Sequence, residues 1–159
     1  MNLIQNESIS NTIATATLPA GKYWIGDLSQ VMEPRWDVVC NLMFDTDEEH
    51  NGMIEIDGLS LWFHPTGYGD GIFKAKTNTL PGSKKPRSGF SVDAGLIGIV
   101  PFELTDASQQ DYSCGMTVTL SDVVTCTFEN DLYSFRSGNG VLVIDAMPKI
   151  LRMINGDYC

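Results

Sequence analysis

A chain of 159 residues fits one domain and is long enough to bury a sizeable core. Its 10 basic and 20 acidic side chains give a formal charge of −10 and a pI near 4.4. That balance excludes general nucleic-acid binding and docking on anionic membranes, both of which draw on Lys and Arg, while 43% hydrophobic residues exclude wholesale disorder.

In chain order, the residues before Gly21 lack a basic start and a continuous apolar run, so no signal peptide is expected. Ile9 to Leu18 alternates and reads as a first strand, and Lys22 to Gly26 as a second. From Met32 to Met43 the apolar positions Met32, Trp36, Val39, Cys40 and Met43 follow helical spacing. Pro34 and Asp37 suit a first turn, which predicts one helix near residues 33–44. Leu59 to His64 and Ile72 to Lys76 flank a glycine-rich turn and are expected to form a hairpin. Phe90 to Val92 and Leu96 to Leu104 read as further strands. Met116 to Leu120 and Val123 to Phe128 are expected to pair across Ser121-Asp122, and Leu132 to Arg136 with Val141 to Ala146 across Ser137-Gly138-Asn139-Gly140. The tail from Pro148 fits a strand or a short helix.

These elements predict a single all-β domain over 1–159, an antiparallel sandwich or partly open barrel with that one helix. The expected core holds Trp24, Ile25, Trp36, Val39, Leu61, Phe63, Phe73, Ile97, Ile99, Val118, Phe128, Val141 and Val143. Cys40, Cys114, Cys126 and Cys159 match no zinc or redox spacing, so reduced thiols and a cytoplasmic setting are expected.

No nucleophile elbow, P-loop, zinc-protease or dinucleotide motif is present, and no pattern calls for a cofactor. An EF-hand register starting at Asp47 places Asp47, Glu49 and Asn51 as ligands and Gly52 at the turn. Its last position, which should be Glu, is Gly58, so calcium is a weak alternative to a charged surface loop. Asp27, Asp70 and Asp93 each stand among glycines. They could converge on a polar ligand, with Trp24, Tyr68 and His64 lining the pocket, or each could cap its own turn. Cys114 becomes a candidate nucleophile only where a His approaches it.

Half of the positive charge, Lys74, Lys76, Lys84, Lys85 and Arg87, falls in one strand and loop, whereas Asp45 to Glu49 is densely acidic. A molecule so polarised suits electrostatic steering toward a charged protein partner.

The motifs G21-K-Y-W-I-G-D27, Y68-G-D-G71 and V92-D-A-G-L-I-G98 resemble those of an uncharacterised family of small β-rich bacterial and phage proteins. The resemblance implies a phage or bacterial setting and one shared structural feature, and it carries over no catalytic role. Where that family has a Cys-Tyr pair after the first G-D, this chain has Leu28-Ser29-Gln30. The expected function is a non-enzymatic interaction protein that binds a host protein as an inhibitor or anti-defence factor. The alternatives are a small-ligand or metal-binding protein or hydrolase built on the Gly/Asp loops, and a virion structural or decoration protein that self-associates into a homo-oligomer.

Overall fold

A computed structural model describes residues 14–32, 35–38, 52–66, 70–84, 89–92, 95–106, 113–138 and 140–146. Thirteen strands run in chain order. They are β1 (Ala14–Leu18), β2 (Gly21–Asp27), β3 (Met53–Ile56), β4 (Leu59–Pro65), β5 (Gly71–Phe73), β6 (Ala75–Asn78) and β7 (Gly82–Lys84), followed by β8 (Phe90–Val92), β9 (Leu96–Pro101), β10 (Gly115–Leu120), β11 (Val124–Glu129), β12 (Leu132–Ser137) and β13 (Gly140–Asp145). One short helix, α1 (Leu28–Val31), follows β2, and a 3-10 turn spans Phe102–Leu104.

The first sheet has the order β1-β11-β12-β13-β6 and the second β3-β4-β9-β2-β10-β7, with β5 and β8 forming a separate pair. Every pairing is antiparallel. The sheets stay open, so of the two expected architectures the sandwich is the one adopted. Tyr23, Ile25, Trp62, Ile97 and Ile99 of the second sheet meet Cys126, Tyr133, Phe135, Leu142 and Ile144 of the first in one apolar cluster. Trp62 packs edge-on against both Tyr133 and Phe135, at 6.4 and 5.8 Å between centroids.

The second sheet is buried on its other face as well. Trp24, Leu28, Met32, Leu61, Phe63, Leu96 and Val100 make a second cluster there, with Trp36 packed against it. Coverage on both faces explains why all six residues of β9 are buried and why that segment reads as a continuous apolar run instead of alternating.

Several expectations are corrected. Leu59–Pro65 does not pair with the strand after the glycine-rich turn; it pairs with β3 and β9. Ile72 to Lys76 is two strands, β5 on β8 and β6 on β13. Ser121-Asp122 is not a hairpin tip: β10 belongs to the second sheet and β11 to the first, so this short link crosses between layers. Val141 and Val143 are only half-buried, because Leu142 and Ile144 face Phe135 and Tyr133 and so take the inward phase. Of the predicted helix, residues 35–38 form a helical turn; the remainder of 33–44, including Val39, lies outside the described residues. The described helix α1 sits earlier.

Two tight hairpins went unforeseen. Asp57 and Gly58, at φ 54° and 80°, join β3 to β4, and Asn130 and Asp131, at φ 55° and 62°, join β11 to β12. Paired positive φ values match the right-handed twist of the flanking strands. Among the described residues, no helix is long and apolar enough to cross a membrane.

Candidate functional site

Chain topology brings the described residues of the three Gly/Asp motifs toward one end of the second sheet. Asp27 on β2 and His64 on β4 both lie opposite Ile97 of the strand between them. Residues in register share a face, so both side chains lie on the side facing the first sheet. The Thr66 N–H donates to the Gly95 carbonyl at 3.0 Å, and Gly71 is opposite Val92. The residue after β4 and the residue before β9 are thereby tied together beside the end of β2. Tyr68 and Asp93 lie outside the described residues.

The individual side chains are less available than their spacing promised. Asp27 is fully buried, and its carboxylate accepts a hydrogen bond from the Ser29 hydroxyl at 2.9 Å. Its amide donates to the Cys114 carbonyl at 2.9 Å, and its own carbonyl accepts from the Trp24 indole at 2.8 Å. The two backbone contacts fix the turn from β2 into α1, whereas the carboxylate, at the N-cap position of α1, makes no capping hydrogen bond to the helix. Trp24 is likewise fully buried, on the opposite face of the sheet. Asp70, by contrast, is exposed.

His64 is half-buried and joins the two layers. Its ring stacks on Phe128 of β11 at 4.1 Å and 13°. Its Nδ1 lies 2.8 Å from the Pro65 carbonyl, which can only accept, so Nδ1 carries the proton. The Tyr133 hydroxyl donates to the His64 carbonyl at 2.7 Å. Burial lowers the pKa of His64, the Pro65 hydrogen bond opposing it in part. The neutral form is therefore the one this stack holds.

Two motif glycines, Gly26 and Gly98, and a third glycine on β10, Gly115, have a packing role. Gly115, Gly26 and Gly98 stand in register across β10, β2 and β9. A Cβ on Gly26 would lie 2.3 Å from the Cys114 carbonyl oxygen, and one on Gly115 would lie 2.5 Å from the Trp24 indole. In this side-chain-free row Gly115 leaves the space into which Trp24 folds, while Gly26 and Gly98 let the neighbouring strands' backbone approach closely. It joins the G-D of the first motif to the last glycine of the third.

Cys114 is half-buried with its sulfur 3.8 Å from the Ser113 hydroxyl, and His64 is committed to Pro65 and Phe128. Burial pushes the Cys126 thiol up to about 12, which leaves it protonated and unreactive. Among the described residues, no group of three or more His, Cys, Asp or Glu is placed to hold a metal ion. Asp47, Glu49 and Asn51 lie outside them, and the later positions of that register, Met53–Ile56, form β3.

Sequence reasoning did not find a cleft of about 210 Å³ at the other end of the sheet, lined in part by Pro19, Lys22, Leu59, Pro101 and Glu103. The Lys22 ammonium sits over the Phe102 ring there, 4.0 Å from its centroid. No local motif marks it, because its walls come from three separate stretches of chain.

Of the clustered cations, Lys74 and Lys76 are both exposed, immediately before and within β6, the outermost strand of the first sheet. Lys84 ends β7, the outermost strand of the second sheet. Residues 79–81 link the two. Lys85 and Arg87 lie outside the described residues. Comparison with family models, curated proteins and solved structures returned no match.

Proposed function

We propose that this is a non-enzymatic interaction protein that meets a protein partner through the side of the sandwich where β6 and β7 lie. The observation that carries the proposal is the placement of Lys74 and Lys76, both exposed at the margin of the first sheet in a chain whose formal charge is −10. A local positive region on an acidic body orients an approaching acidic surface and repels it elsewhere. The resemblance of the three motifs favours a phage-encoded protein acting in the host cytoplasm as an inhibitor or anti-defence factor. The small-ligand alternative draws less support, since Asp27 is buried and engaged by Ser29 while Asp70 is on the surface.

The test is capture from a bacterial lysate with the tagged wild-type chain and with Lys74→Glu/Lys76→Glu. A protein retained by the wild type and lost by the variant supports the proposal. Equal retention by both, or retention by neither, counts against it.

A further inference from the structure

The four outermost strands of the two large sheets are β1, β6, β3 and β7. Such strands offer unpaired backbone groups to other chains, and proteins blunt them with charge, bulges or short length. Three of the four are blunted in this way. β6 has Lys76 and a register shift against β13. β7 is three residues long, ends in Lys84, and is shifted against β10. β3 is four residues long and carries Glu55.

β1 has none of these devices. All five of its residues, Ala14–Leu18, pair with β11 without a shift. Its burial alternates strictly, with Thr15 and Thr17 exposed and Ala14, Ala16 and Leu18 inward. Among the described residues it has a strand neighbour on one side only. The sequence is uncharged from Ser8 through Gly21, so two copies of a chain of formal charge −10 can meet here without apposing charged side chains.

We infer that β1 is a self-association edge, and that two copies pair antiparallel through it about a two-fold axis. An axis at Ala16 sets Thr15 against Thr17 of the second copy on the solvent face, and Ala14 against Leu18 on the inner face. Cross-strand Thr–Thr pairs are favourable, and a two-fold arrangement lets one patch complement itself. The two five-stranded sheets would then run on as one.

The test is sedimentation equilibrium of the full chain from micromolar to near-millimolar concentration, for the wild type, Thr17→Lys and Thr119→Lys. Thr119 is exposed on β10, between two neighbouring strands, so its Lys variant changes net charge equally without touching an edge. The expected result is a dimer for the wild type and for Thr119→Lys, with association weakened roughly tenfold or more in Thr17→Lys, which sets two like charges diagonally across the axis and places a charge on the pairing edge. Amide exchange across Ala14–Leu18 in the wild type should also slow as concentration rises, which needs no variant. A strictly monomeric wild type overturns the inference, as does association that survives Thr17→Lys or exchange that does not respond to concentration.

Discussion

Gly98→Ala tests the glycine row directly. A Cβ at this position would lie 2.2 Å from the Trp62 carbonyl oxygen, 2.7 Å from the Phe63 Cβ and 2.8 Å from the Phe63 Cα. Two of those atoms are backbone in β4, which is paired on both sides, so no side chain can swing away to make room. Overpacking of this kind costs ~1–3 kcal/mol, and a backbone obstacle places it at about 3 kcal/mol. For a domain of this size, ~2–4 °C per kcal/mol gives a fall in Tm of about 6–12 °C. Gly58→Ala is the control. Nothing lies within 4 Å of its added Cβ, and only its φ of 80° opposes the change, which costs about 1 kcal/mol. Thermal and urea denaturation followed by circular dichroism would measure both. A Gly98→Ala variant no less stable than Gly58→Ala would refute the packing account of the motif glycines.

Three further outcomes follow from the same geometry. His64 carries a folded-state pKa below its ordinary 6.5, so the unfolded chain takes up the proton first as pH falls. Its contribution to stability is complete above 6.5 and is lost on acidification through the folded value; His64→Phe, which keeps the stack on Phe128, should flatten that part of the pH–stability profile, and an unchanged slope would refute it. Asp131→Gly relieves a non-glycine residue at φ 62° and creates an Asn-Gly turn, so it should raise stability by about 0.5–1 kcal/mol in urea melts. Arg35→Ala removes a 2.7 Å ion pair with Asp57; because both partners are at least a third exposed, it should cost no more than about 1 kcal/mol.

Alternation made the strand-rich class legible, and nine of the expected core residues are buried, among them Trp24, Ile25, Leu61 and Ile99. Pairing was harder to read, for physical reasons. Asp57-Gly58 is a strong hairpin signal, but it sits at the end of an acidic stretch with calcium-loop spacing, and that competing pattern obscured it. Ser121-Asp122 has the length of a hairpin tip, yet nothing local distinguishes a turn that returns to its own sheet from one that crosses to the other. In β13 the run Val141-Leu142-Val143-Ile144 is apolar on both parities, so its inward phase is set by Tyr133 and Phe135 on the neighbouring strand. At the candidate site the motifs were visible as sequence, whereas their roles depended on depth. Asp27 is interior, Asp70 is exterior, and the motif glycines Gly26 and Gly98 lie against neighbouring backbone, that of Cys114 and Gly115 and that of Trp62 and Phe63.

The proposed binding side is tested most directly by lysine footprinting. The wild-type chain is acetylated with and without the partner captured from lysate, and each lysine is quantified by mass spectrometry. The account predicts that Lys74 and Lys76 become protected while Lys22, in the cleft at the far end of the second sheet, stays reactive. Unchanged reactivity of Lys74 and Lys76 alongside protection of Lys22 would contradict it.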